Sequence, residues 1–248
     1  MQTFLRVLNL IAGPILTLWF AERFKGLTFA GSDAGKEIGG ALAGLVMLAV
    51  ELALTQGPKR SAWLRRWLDP RAAFEGVWLQ EIIDGRDNAL GVFSMDYNGE
   101  SDSYSVKGNA YSIAGTQWAR WRSTHLFIDE RLLRATYRFE GSVLGPVTTG
   151  PLRKTGLTVL DLRPPPPLSL PTAGDGEVLH VGEAEHRDFR LRRVTPQLLA
   201  ELGLDFTLRE LRLDTHDEEA RLVAADLRAR QAADAARGHP RPSAAEAA

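Results

Sequence analysis

The chain contains no cysteine, which excludes disulfides, thiol nucleophiles and zinc–thiolate sites and suits a reducing compartment. Its formal net charge is −1 over 248 residues, so no overall bias toward a DNA or RNA polymer or an acidic partner is present. No glycine-rich loop opens a helix to cradle a phosphate; Gly39-Gly40-Ala41 falls inside an apolar run instead. Histidine is scarce. His180 and His186, with Glu183, Glu185 and Asp188, form a His/carboxylate cluster, and their spacing matches no helical metal pattern. No nucleophile stands beside a base. Neither catalytic residues, metal ligands nor a resident cofactor are expected, and the chain does not read as an enzyme.

What is present begins with two apolar segments. Val7 to Ala21 carries no charge, and Ile38 to Leu54 carries only Glu51. A hydrocarbon core of roughly 30 Å needs about 20 mostly apolar residues per helix, a length reached when the flanks are included. The expectation is a two-helix transmembrane hairpin over residues 1–57. Lys59, Arg60, Arg65, Arg66 and Arg71 follow directly, and positive residues near a span end are held on the cytoplasmic side. Residues 58–73 therefore read as a basic amphipathic linker, with Trp63 and Trp67 suited to the headgroup region. A secretory leader ending near Ala30 is the alternative, and it would leave the second segment as a lone anchor. Gly40 and Gly44 form a small-xxx-small pair that lets helix backbones approach in lipid, the alternative being the ordinary abundance of glycine in spans. A carboxylate at membrane depth is costly, so Glu51 is either a boundary residue or functional.

From Phe74 the pattern changes to short alternating runs, the mark of antiparallel sheet. Strands are expected over Phe74–Ile83, Gly91–Tyr97, Ser103–Val106, Thr116–His125, Leu132–Glu140, Val147–Lys154, Leu157–Leu162, Val178–Ala184 and Asp188–Val194. Asp84-Gly85, Asn98-Gly99, Glu140-Gly141 and Gly174-Asp175-Gly176 supply turn chemistry between them. About eight strands of even spacing predict a small closed up-and-down barrel over residues 74–204, which removes exposed sheet edges. Thr195 and Pro196 start a helix that Gly203 stops. Pro164 to Pro167 reads as a stiff loop spacer, a recognition motif being the alternative. Residues 205–248 read as a charged helix, Leu208 to Arg230, followed by a disordered tail.

Alternation in Trp118 to Ser123 puts Ala119, Trp121 and Ser123 on one face and Trp118, Arg120 and Arg122 on the other. In the following strand Ala135, Tyr137 and Phe139 share a face, opposite Thr136 and Arg138. Aromatics and hydroxyls together suggest an interior or mouth that holds one ligand, and a filled barrel with its hydroxyls satisfied is the competing reading.

Glu75-Gly76-Val77-Trp78 resembles the Gly-x-Trp opening of lipocalin-like barrels. An ordered series follows: Tyr104 to Tyr111, Trp121-Arg122-Ser123, Tyr137 to Gly141, Gly156 to Leu160, and the Gly182 to Asp188 turn. Behind two spans and a basic linker, this series resembles the SMODS-associating two-transmembrane, β-strand-rich effectors of bacterial CBASS antiphage defence. The resemblance implies that a partner nucleotidyltransferase makes a cyclic dinucleotide, which the cytoplasmic barrel binds. The hairpins would then form a homo-oligomer in the inner membrane and disrupt it, giving abortive infection. Such a ligand wants cations, hydroxyls or amides, and aromatic faces. Tyr104, Asn109, Tyr111, Trp121, Arg122, Ser123, Thr136 and Tyr137 supply these types as candidate ligand contacts. Gly40, Gly44 and Glu51 are the candidate membrane-packing residues. The competing functions are a membrane-anchored carrier of an apolar ligand and an assembly protein with a filled barrel.

Overall fold

The computed structural model describes residues 44–46, 48–50, 52, 56–83, 90–112, 116–144, 152–166, 169–181, 186–211 and 216–237. The first apolar segment, Gly40 and Glu51 lie outside these residues. The second segment is described at 44–46, 48–50 and 52, all helical, with Leu45, Leu48 and Leu52 exposed. Among the described residues no helix is long and apolar enough to cross a membrane. The chain divides into two compact units, Met1–Asp69 and Pro70–Ala248. In the first, helix α1 (Ala62–Leu68) is capped by Ser61, whose side chain accepts from the Leu64 amide, and Trp63 and Trp67 are exposed.

The second unit is a closed antiparallel barrel of eight strands in chain order. They are β1 (Gly76–Ile82), β2 (Leu90–Asn98), β3 (Ser103–Tyr111), β4 (Gln117–Asp129), β5 (Arg134–Val143), β6 (Leu152–Leu162), β7 (Ala173–His180) and β8 (His186–Arg193). The ring closes where Gln80 of β1 pairs with Leu191 of β8. Inward positions carry the large apolar side chains, among them Trp78, Phe93, Met95, Tyr137, Phe139, Leu160 and Phe189. A short 3-10 helix, Pro70–Phe74, precedes β1 and contributes buried Phe74 to the same cluster.

A second apolar cluster lies outside the ring. Helices α2 (Pro196–Glu201), α3 (Leu208–Leu211) and α4 (His216–Ala236) bring Leu198, Leu199, Leu211, Leu222 and Val223 onto Val77, Leu79, Val92 and Tyr111. This explains the near-continuous burial of β1 and β2, since strands covered on both faces need apolar residues at consecutive positions. The uncovered β4 alternates instead between exposed and half-buried positions. Each fully buried Leu or Val in this layer contributes roughly 1.5–3 kcal/mol.

Several boundaries differ from the sequence expectation. Strand β3 continues past Val106 to Tyr111, because Gly108 is not a turn residue: a Cβ there would lie 2.6 Å from the Trp121 ring, so glycine is what lets the indole lie against the strand. Gly174-Asp175-Gly176 likewise falls inside β7, where a Cβ on Gly176 would lie 2.4 Å from the Phe189 ring. Glu140-Gly141 is within β5, paired with Arg122 and Trp121. Leu152 to Leu162 forms one strand rather than the ends of two, which brings the count to eight. The Asn98-Gly99 turn is present, with the Asn98 side-chain oxygen accepting from the Glu100 amide at 2.9 Å. Asp84-Gly85 lies outside the described residues. Thr195 caps α2 and Gly203 follows it at φ +68°. Within the span of the expected charged helix the described residues form α3 and α4; α4 runs on to Ala236 and packs Leu222, Val223 and Leu227 against the barrel.

Candidate functional site

The outward face of β2 to β6 carries an unusual charge pattern, read directly from the register. One row across the strands is Lys107, Arg122, Glu140 and Thr155. Its neighbour is Asn109, Arg120, Ser142 and Arg153. Adjacent strands lie about 4.8 Å apart and successive outward residues roughly 6.7 Å apart, so these cations form a compact patch. Arg122 stands between Lys107 on one side and Glu140 on the other, so it faces a like charge and an opposite charge across the strands. Among the described residues no side-chain ion pair or hydrogen bond engages Arg120, Arg122 or Arg153.

Leu211 of α3 and Glu219 of α4 turn this patch into a groove of about 700 Å³. Its lining holds five basic side chains, Lys154 being the fifth, against two acidic ones, Glu140 and Glu219. Trp121 contributes from the inward side of β4 through the gap that Gly108 leaves. The volume falls within the usual range of ligand pockets, about 300–1,000 Å³.

The barrel interior is different. Its cavity measures about 100 Å³ and is lined by Gln80, Trp121, Tyr137, Phe139 and Thr158, among others. That is well below the roughly 300–1,000 Å³ of ligand pockets and too small for a dinucleotide. Burial pushes the Tyr137 hydroxyl up to about 12, against hydrogen bonds with Thr158 and Trp121 that act the other way.

The sequence candidates are distributed between these places. Asn109, Trp121 and Arg122 line the groove, and Trp121 and Tyr137 line the interior cavity. Tyr111 is buried beneath the helices, where its hydroxyl donates to Glu219 at 2.7 Å. Burial first and that carboxylate second raise its pKa above the usual tyrosine value. Tyr104 packs at 5.2 Å from Tyr97 with the Arg71 guanidinium over its ring. The Ser123 hydroxyl accepts the Val106 amide at 2.8 Å and so serves the sheet ladder. Thr136 sits between Phe127 and Val159 across the neighbouring strands. Gly44 has open space where a side chain would stand, and Gly40 and Glu51 are outside the described residues.

Sequence reasoning did not select Lys107, Arg120, Arg153, Lys154 or Glu219. The signal for the first three was period two: they are basic residues at outward positions of three strands. Glu219 could not be found that way, because it reaches the site from a helix far along the chain. Among the described residues no group of three His, Cys, Asp or Glu side chains could hold a metal ion. His180 stands edge-on to Phe139 at 5.5 Å on β7, and His186 is exposed on β8. Comparison with family models, with curated proteins and with solved structures returns no match.

Proposed function

We propose that the barrel is the receptor for a cyclic dinucleotide, and that this ligand occupies the outer groove rather than the ring-filled interior. The observation that carries this reading is the 700 Å³ groove, whose basic lining includes Lys107 opposed to Arg122. Two phosphates need two separated sets of cations, and the two cross-strand rows supply them. A flat base finds an aromatic edge at Trp121. No catalytic role is assigned to any of these groups: the site binds and does not transform.

The receptor is tethered in the bacterial inner membrane by the N-terminal hairpin, with the barrel in the cytoplasm. Binding promotes homo-oligomerisation of hairpins through the Gly40/Gly44 face, with Glu51 close by, and the assembly compromises the bilayer during phage infection. What supports this part is the sequence resemblance, the basic run after the second segment, and the leucines exposed at positions 45, 48 and 52. The messenger would come from a partner nucleotidyltransferase.

A thermal-shift screen of the full-length chain in lipid nanodiscs tests the reading. Cyclic dinucleotides and fatty acids form the two arms. A cyclic dinucleotide at about 100 times its dissociation constant should stabilise by roughly 2.7 kcal/mol. Stabilisation by fatty acids alone would replace the receptor with an apolar-ligand carrier.

A further inference from the structure

The groove already contains an acceptor that resembles part of its proposed ligand. Glu219, in the first turn of α4, is 6% exposed and lines the groove. Its Oε2 accepts from Asn109 Nδ2 at 2.7 Å and from the Tyr111 hydroxyl at 2.7 Å. Asn109 is held for this by Gln117, which donates to its side-chain oxygen at 2.8 Å. Asn109 lines the groove, whereas Tyr111 does not. A phosphate oxygen is the same kind of acceptor as a carboxylate oxygen, and the Asn109 amide donates to either.

We infer that Glu219 is a displaceable stand-in for a phosphate, a latch that a phosphate-bearing ligand opens. The inference rests on the groove reading above and adds its consequence. The incoming phosphate takes the Asn109 donor, Glu219 leaves Asn109 and Tyr111, and the start of α4 detaches from β3. The rest of the helix stays attached. Asp226 is bound by Arg192 and Arg230, Arg230 also pairs with Glu81, and Leu222 and Val223 are fully buried. Ligand occupancy is thus converted into release of one helix end, a local opening of the kind that carries signals between surfaces.

The test uses inorganic pyrophosphate, which carries the phosphate chemistry without the bases, on the full-length chain in nanodiscs. Saturating pyrophosphate should speed amide exchange at residues 220 and 221 by about tenfold and leave residues 224–230 unchanged. Calorimetry should give about threefold tighter pyrophosphate binding for Tyr111→Phe. That substitution alters no charge and weakens only the latched state, so simple electrostatics cannot produce the gain. Glu219→Gln should gain about tenfold, and circular dichroism matching the parent chain shows that either variant is folded. Unchanged or slower exchange at residues 220 and 221 on a saturated groove overturns the latch and leaves the nucleotide reading standing. Failure of pyrophosphate to bind also overturns it. Opening by pyrophosphate, with every cyclic dinucleotide inactive, overturns the nucleotide reading alone.

Discussion

At the scale of single residues, one side chain closes the end of the barrel opposite the interior cavity. Arg193 is buried at the end of β8, with its guanidinium 4.3 Å from the centre of the Trp78 ring. It donates to the carbonyls of Pro171, Glu75 and Ala73, and the Trp78 indole donates to the Phe74 carbonyl at 2.9 Å. One planar, permanently charged fork therefore ties the last strand, the 3-10 helix and the β6–β7 connection together, an arrangement that lysine cannot copy. Arg193→Ala leaves buried carbonyls without a donor and should cost about 3–5 kcal/mol in urea unfolding, with Arg193→Lys recovering only a part. Tyr137 gives a second prediction. Its raised pKa means that the folded chain holds the proton more tightly than the unfolded one. Stability from this group is therefore full below about pH 10 and falls as pH climbs through about 12, by up to 1.4 kcal/mol per pH unit. Tyr137→Phe should flatten that alkaline decline, measured by chemical unfolding from pH 8 to pH 11. An unchanged decline would remove the assignment to Tyr137.

At the scale of elements, helix α4 belongs to the barrel rather than to a tail. Asp226 is 1% exposed and is engaged by Arg192 and Arg230, so the helix is pinned by charge as well as by Leu222 and Val223. Asp226→Ala would leave two arginines without their shared carboxylate. It should lower stability by about 3–5 kcal/mol, whereas Asp205→Ala, at an exposed pair with Arg221, should leave the melt close to that of the parent chain. Equal effects in paired melts would contradict the burial argument. The same helix marks where the sequence was legible and where it was not. Alternation in Ala135-Thr136-Tyr137-Arg138-Phe139 reveals which face is inward, and Thr195-Pro196 reveals a helix start, because both signals are local. Gly176 of β7 read as part of a turn because its cause, the Phe189 ring on the neighbouring strand, is not local. The groove was half legible for the same reason. Arg120 and Arg122 could be set outward by parity, but the helical wall that makes a groove of them comes from long-range packing.

At the scale of the whole molecule, the proposed function joins the basic groove to the expected N-terminal hairpin through ligand-driven assembly. The groove is the part from which the rest follows. Its affinity should be dominated by cation–phosphate hydrogen bonds, each worth about 1.5–3 kcal/mol, or tenfold and more in binding. It should weaken as salt rises, since the cations are largely exposed. The deciding measurement is equilibrium dialysis of the full-length chain in nanodiscs against labelled cyclic dinucleotides, with Arg122→Glu and Arg153→Glu variants beside the unmodified protein. The account predicts saturable binding of one of them, weakened at least thirtyfold by either substitution and progressively by salt. Binding that both charge reversals leave intact, or no binding by the folded chain, would contradict it.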